Sequence, residues 1–198
     1  MIYSFKGFIP IIDESAFVHP LATVVGNVII GKKAYIGPGA VLRGDWGGII
    51  IKDGCNVQEN CTIHMFPGKH AILENNAHVG HGAIIHGAHL KENCMIGMNA
   101  VIMDNAIIGE NCIVGALAFV KADAVFEANS LIVGNPAKKI KEVSDKMIQW
   151  KTAGTKLYQT LPHDCKHHME EVEPLREIPE NRPAQETLFD TWNNIIGK

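Results

Sequence analysis

An aliphatic residue recurs at every sixth position through most of the chain between Ile12 and Ile132. The step of six breaks after Leu42, Ile63 and Ile85, and it resumes each time. An amphipathic helix would repeat every 3.6 residues and a half-buried strand every 2, so neither explains the pattern. A period of six is instead typical of the hexapeptide repeat of a parallel β-helix.

The fourth residue after each aliphatic position is small in nearly every hexad. These small residues include Cys55, Cys61, Cys94 and Cys112, which we therefore predict to be core filler. In a narrow coil, the large aliphatic residue can fill the interior, and the small residue four positions later can fit beneath a tight corner. Three hexads close one triangular coil, so about twenty hexads would make roughly seven coils. A β-sandwich is the less favoured alternative.

The repeat ends near Asn135, and two regions are predicted: a β-helix domain over residues 1–137, and a C-terminal helix with a polar tail over residues 138–198. Ser144 is a suitable N-cap for that helix. The tail is polar and contains several prolines, so we expect it to wrap the surface of the β-helix or of a neighbouring subunit.

Two of the ten histidines are brought together by the repeat. His64 and His86 each follow the inward residue of a hexad, and their hexads are three apart, which is one full coil. Stacked strands lie about 4.8 Å apart, so both rings can reach one ion. Alternation along a strand turns both side chains outward, onto the wall of the β-helix.

His81 falls on the preceding face of the triangle, where it cannot easily join this pair within its own subunit. The His81 of a neighbouring subunit could do so. Three-fold packing is the simplest arrangement that brings one face against another, so we predict a homotrimer with a metal site at each interface. Histidines that merely stack at a trimer seam are the alternative.

The same register aligns three further polar residues with the histidines. Arg43 lies one coil below His64, in the column of His64 and His86. Gln58 and Glu59 share the face of His81 and would arrive with it from the neighbouring subunit. An ion pair between Arg43 and Glu59 across the interface follows as a hypothesis.

Three imidazole ligands and an open fourth position are typical of a catalytic zinc site, whereas structural zinc sites are usually closed by four ligands. Imidazole also suits other transition metals, so Fe²⁺ or Co²⁺ could replace Zn²⁺. A water molecule on such an ion can have its pKa lowered to about 7, which provides a nucleophile at neutral pH.

Composition and charge exclude some classes of binding partner and location. The net charge of -3 gives no sign of binding to nucleic acid or to an anionic membrane. The N-terminus lacks the shape of a signal peptide, and no apolar run is long enough to span a bilayer. The five cysteines include no CxxC pair, so we expect free thiols and a cytoplasmic location.

The segments RGDWG (43–47), NVQEN (56–60), IH (63–64) and VGHGAIIHG (79–87) resemble the γ-class carbonic anhydrase superfamily. That resemblance implies a left-handed β-helix, in which two histidines of one subunit and one of its neighbour bind the metal. It also implies that the Arg-Gly-Asp and Gln-Glu segments, and hence Asp45, border the site.

The segments LRGDWGGIIIKDG, GMNAVIMD and IVGNPAK are similar to a narrower branch of that superfamily, the PaaY phenylacetic acid degradation proteins and the CaiE carnitine operon proteins. This resemblance implies thioesterase activity on CoA thioesters and a link to phenylacetate catabolism.

The chain departs from the carbonic anhydrase prototype beside the ligands. Trp46 stands where the prototype has an acidic residue, and Met65–His70 replaces the acidic loop that shuttles protons. We expect Trp46, Met65 and Phe66 to form an apolar rim that suits an organic substrate larger than CO2. Glu59 stands where the family usually has Asp.

These observations predict a metal-dependent thioesterase for acyl-CoA. Gln58 would orient the water or the carbonyl, Glu59 would act as a base, and Arg43 with Asp45 would fix the surroundings of the metal. A carbonic anhydrase that uses the same metal is the first alternative. A hexapeptide acyltransferase and a non-catalytic accessory protein are the others.

Overall fold

The computed structural model describes residues 1–196 and forms a left-handed parallel β-helix of about seven coils, which confirms the predicted fold. Its strands are β1 Ile2–Tyr3, β2 Ile11–Ile12, β3 Phe17–Val18, β4 Thr23–Ile30, β5 Tyr35–Ile36, β6 Val41–Ile51, β7 Asn56–Val57, β8 Thr62–His64, β9 His70–Leu73, β10 His78–Val79, β11 Ile84–His86, β12 His89–Leu90, β13 Met95–Ile96, β14 Val101–Ile102, β15 Ile107–Ile108, β16 Ile113–Val114, β17 Phe119–Val120, β18 Val125–Phe126, β19 Ser130–Val133 and β20 Lys138–Glu142.

The strands form three faces. The helix face is the eight-stranded sheet β20-β19-β16-β13-β10-β7-β5-β3. The histidine face contains β8, β11, β14, β17 and the first part of β6, and the third face contains β9, β12, β15, β18 and the last part of β6. Strands one coil apart pair in parallel, as β8 and β11 do through Ile63 and Ile85. Equivalent residues of successive coils therefore lie in columns.

The core runs along the axis of the coil and consists of the residues that the repeat predicts. In the middle coils the aliphatic hexad residues, such as Ile63, Ile85 and Ile96, are fully buried, and so are the small residues four positions later. Residues of the first and last coils, such as Ile12 and Phe126, are only partly buried. Four of the five cysteines are buried and free, namely Cys55, Cys61, Cys94 and Cys112. Burial raises the pKa of Cys55 and of Cys94 to about 12, so both are inert filler.

The corners of the coils depend on asparagine. At successive corners, the residue directly before the small core position is left-handed, as at Asn93, Asn99, Asn105 and Asn111, whose φ lies between 54° and 56°. Asparagine tolerates this backbone conformation better than other side chains do. These residues allow the chain to turn sharply between faces.

The C-terminal region begins with a strand before the predicted helix. Strand β20 turns back and pairs antiparallel with β19. Helix α1 spans Asp145–Tyr158, and the Ser144 side chain accepts a hydrogen bond from the N–H of Met147, as an N-cap does. Helices α2 (Leu161–His168) and α3 (Trp192–Ile196) follow. The division at residue 137 stays a prediction, and residues 197–198 lie outside the described part.

Helix α1 lies on the helix face. The ring of Tyr158 meets the ring of His78 edge-on at 5.2 Å between centroids. The buried Lys151 donates hydrogen bonds from Nζ to the carbonyl of Asn76 at 2.8 Å and to Oδ1 of Asn93 at 2.7 Å. Over residues 1–196, no helix has both the length and the apolar character that crossing a membrane requires.

Candidate metal centre

Two imidazoles face each other on the histidine face. His64 and His86 are register partners in adjacent coils, and their ring centroids are 5.3 Å apart. The distance from Nδ1 of His64 to Nε2 of His86 is 3.2 Å. The structure thus brings together the pair that the repeat predicts.

Each imidazole is held by a carboxylate through its other nitrogen. Nε2 of His64 lies 3.1 Å from Oδ1 of Asp45, and Nδ1 of His86 lies 2.6 Å from Oδ1 of Asp104. A neutral histidine that donates its N–H to a carboxylate turns the lone pair of the remaining nitrogen away from it. Here the two remaining nitrogens point at each other.

This arrangement fits a metal ion. Two nitrogens bound to one tetrahedral zinc at about 2.0–2.1 Å would lie roughly 3.3 Å apart. The observed spacing between His64 and His86 is 3.2 Å. Two lone pairs this close repel each other unless a proton or a metal cation lies between them. The residues present therefore suit the predicted cofactor.

The electrostatics favour a neutral His64. Burial lowers the pKa of His64, and the charge of Arg43 lowers it further, while Asp45 acts in the opposite direction. Burial acts to raise the pKa of Asp45, but the hydrogen bond and charge of Arg43 outweigh it and hold that pKa below its ordinary value. An ionised Asp45 beside a neutral His64 is what metal ligation needs.

His81 lies on a different face of the β-helix from His64 and His86. Its Nδ1 is hydrogen-bonded to Oε2 of Glu59, one coil away on the helix face, so its Nε2 remains free. Within residues 1–196, no three His, Cys, Asp or Glu side chains converge on one point as a metal site would require. The joining of His81 to the pair across a trimer interface stays a prediction.

The predicted polar residues make contacts within the chain. The guanidinium of Arg43 donates from Nη2 to Oδ2 of Asp45 at 2.9 Å. Glu59 accepts a hydrogen bond from the hydroxyl of Tyr35 at 3.1 Å through its other oxygen. Both partners of the hypothetical Arg43–Glu59 ion pair are thus engaged locally, and a pair across an interface stays a prediction.

Gln58 lies beneath helix α1. Its side chain is buried, and Nε2 donates to Oδ1 of Asn56 at 2.9 Å. The same Nε2 lies 2.7 Å from Nε2 of His78, whose Nδ1 is 3.3 Å from the hydroxyl of Thr155. Burial lowers the pKa of His78 to about 3, so this imidazole is neutral and its Nε2 accepts a hydrogen bond from the Gln58 amide.

The apolar rim consists of two aromatic residues. Trp46 is 58% exposed, and its ring centroid is 5.6 Å from that of His64. Phe66 meets His86 edge-on at 5.0 Å. The prediction that Met65 belongs to this rim is wrong, because Met65 is fully buried. The alternation of β8 continues past His64 and directs Met65 into the core, next to Gly87.

Sequence reasoning missed Asp104 and Tyr35. Asp104 lies one coil beyond His86, next to the column of Arg43, His64 and His86, so extending that column by one coil would have found it. Tyr35 lies on the helix face in the column of Asn56, and its hydroxyl reaches diagonally to Glu59, so following a single column would not have paired the two.

The comparisons with known proteins agree with this fold. The family model "Bacterial transferase hexapeptide (six repeats)" matches residues 10–44 and 87–122. The carnitine operon protein CaiE of Escherichia coli O157:H7 is 46% identical over 188 residues, which are 95% of this chain and 96% of that protein. The CaiE protein of Shigella flexneri serotype 5b matches with the same identity and coverage.

Two solved structures are also similar. A Bacillus cereus protein assigned as an acetyltransferase is 36% identical with a TM-score of 0.82, and the match covers 83% of this chain and 96% of that one. A hexapeptide transferase family protein of Anaplasma phagocytophilum is 28% identical with a TM-score of 0.79, over 82% of this chain and 96% of that one.

Proposed function

We propose that this chain, which belongs to the hexapeptide-repeat family that includes CaiE, is a metal-dependent hydrolase of acyl-CoA thioesters. One observation carries the proposal. The free nitrogens of His64 and His86 face each other at 3.2 Å, and each ring is held from behind by a carboxylate. The aromatic rim beside them favours an organic substrate.

His64 and His86 of one subunit and His81 of a neighbour in a homotrimer would hold the ion. When bound, Zn²⁺, or Fe²⁺ or Co²⁺ in its place, supplies Lewis acidity and a water molecule of near-neutral pKa. Asp45, Asp104 and Glu59 keep the three rings in the required tautomer and orientation.

The remaining residues act on the substrate and on the proton balance. Arg43 keeps Asp45 ionised, and Trp46 and Phe66 exclude bulk water from the reacting carbonyl. Gln58 and Glu59 keep the roles expected from the sequence: Gln58 orients the water or carbonyl, and Glu59 accepts a proton. Glu59 is suited both to orienting His81 and to accepting a proton, since its carboxylate is partly exposed beside that imidazole.

Two alternatives have support of their own. The histidine pair and its carboxylates would equally serve a carbonic anhydrase, whose substrate CO2 makes no use of the rim. The names of the two structural relatives favour transfer of an acyl group to an acceptor. Phenylacetate catabolism was expected from the sequence, whereas the relatives of 46% identity are named for the carnitine operon.

The test is hydrolysis of aromatic and aliphatic CoA thioesters by protein of measured metal content, with CO2 hydration assayed in parallel. We expect metal-dependent release of free CoA that His81→Ala abolishes. His163→Ala is the matched control, because His163 is exposed on α2. Rapid CO2 hydration without thioester turnover, or CoA release that requires an acyl acceptor, would refute the thioesterase.

A further inference from the structure

A cavity of about 390 Å³ lies between helix α1 and the helix face. Its floor is formed by Gly80, Gly97 and Gly115, which follow the inward residues of three successive coils and carry no side chain. Gly154 and Leu157 of α1 contribute to the roof. Ligand sites for small molecules typically measure about 300–1,000 Å³, so this cavity suits a compact group.

Three polar residues, Gln58, His78 and His81, contribute to the lining of the cavity. His81 is the proposed third ligand, so in the proposed trimer this side of the cavity would face the His64–His86 pair of a neighbouring subunit. The walls beyond them are largely apolar and include Met95 and Met98. A group that enters from the reaction centre would thus pass from polar contacts near His81 into an apolar interior.

We infer that this cavity binds the acyl group of the substrate, with the thioester carbonyl at the His81 end and CoA outside. The inference rests on the proposed function and specifies its substrate class: a neutral, apolar acyl group, either a medium-length chain or a single aromatic ring. Lys151 also lines the cavity, and the partners recorded for its Nζ within residues 1–196 are the neutral oxygens of Asn76 and Asn93. Its ammonium group opposes a cationic acyl group.

The inference predicts how affinity depends on chain length. Each methylene buried in an apolar site strengthens binding by about fourfold. S-hexyl-CoA, a thioether that cannot be hydrolysed, should therefore bind far more tightly than S-methyl-CoA. With methyl-labelled methionine, S-hexyl-CoA should shift the NMR signals of Met95 and Met98, and S-methyl-CoA should not.

Filling the cavity provides the decisive variant. An added Cβ at Gly154 would lie 3.2 Å from the ring of Phe189, which also lines the cavity, so Gly154→Leu crowds this part of the roof. Leucine is a better helix former than glycine, so α1 should be retained. Its matched control is Ala153→Leu, one residue away on the exposed side of α1. We expect Gly154→Leu to weaken S-hexyl-CoA binding at least tenfold and to leave S-methyl-CoA binding unchanged. Leu157→Ala should shift the preference toward longer chains.

The outcomes separate this inference from the proposed function. If the protein hydrolyses thioesters but Gly154→Leu and Leu157→Ala leave the chain-length preference unchanged, the cavity is not the acyl site. If Met95 and Met98 respond to S-hexyl-CoA but no thioester is cleaved, the cavity binds apolar groups and the hydrolase is refuted. Equal binding of both thioethers, or tighter binding of an acyl group with a quaternary ammonium, overturns the inference.

Discussion

Asp104 should control the affinity of the centre for zinc, although it would not bind the metal itself. Its Oδ1 accepts a hydrogen bond from Nδ1 of His86 at 2.6 Å, which leaves Nε2 of that ring free to face His64. Asp104→Asn preserves the shape of the side chain and removes its charge. The amide can donate a hydrogen bond to Nδ1, which would move the imidazole proton onto Nε2, the nitrogen that must bind the metal.

The expected loss follows from the behaviour of such outer carboxylates. Replacing the partner of a ligating histidine costs about 10- to 100-fold in metal affinity, which corresponds to about 1.4–2.7 kcal/mol. The short distance between Asp104 and His86 places this variant toward the upper end of that range. The fold should survive, because the side chain of Asp104 lies outside the core.

Competition with a chromophoric chelator at constant pH measures the zinc affinity directly. Asp123→Asn is the matched control, because Asp123 accepts a hydrogen bond from Asn105 in the preceding coil, and no histidine within residues 1–196 is hydrogen-bonded to it. We expect the control to bind zinc as the unaltered protein does. Unchanged affinity in Asp104→Asn would mean that His86 does not bind the metal through Nε2, and the reasoning from tautomers would be wrong.

Three further predictions concern pH, the coil corners and the rim. Burial lowers the folded-state pKa of His78 to about 3, below its ordinary value of 6.5. Its neutral imidazole therefore costs no stability above pH 6.5, and the free energy of unfolding falls as the pH decreases from 6.5 toward 3. His78→Gln should remove about 2 kcal/mol of the loss seen at pH 5, as measured by urea unfolding; an unchanged pH dependence would show that His78 does not cause it. Asn99 has a φ of 54°, so Asn99→Ala should cost about 1 kcal/mol and Asn99→Gly much less, and equal costs would contradict the conformational explanation. Trp46→Ala should lower kcat/KM for thioesters about tenfold, since an exposed ring beside the reacting groups contributes binding without supporting the core. CO2 hydration should not fall, and parallel losses in both assays would assign Trp46 to the metal centre instead.

The period of six was sufficient to predict a parallel β-helix and the pairing of two histidines, whereas the left hand of the coil came from the resemblance. Ile63 and Ile85 mark equivalent points in two coils, so the residues after them, His64 and His86, had to be neighbours on the outer wall. The register does not bring His81 next to this pair, because His81 lies on the helix face and the pair lies on the histidine face. Only the packing of subunits could bring all three histidines together. The prediction there depended on chemistry and resemblance rather than on geometry.

Where the period breaks, the sequence was less informative. Met65 begins the long interval between Ile63 and Leu73, and its hydrophobic side chain suited either the rim or the core. The structure places it in the core because the strand alternation persists for one more residue. The cavity was also not predictable, since the repeat does not indicate which face helix α1 covers. The recurring asparagines did carry a signal for the corners, in their spacing.

Strand β20 has a consequence for solubility. An open β-helix ends in a row of unpaired backbone groups, which can pair with another chain and extend into fibres. On the helix face, β20 lies at that edge, runs against the direction of the other strands and exposes Lys138, Lys139 and Lys141. Lysine-rich edges repel one another and disfavour further pairing. Truncation before residue 138 would uncover β19, and the shortened protein should be prone to end-to-end aggregation.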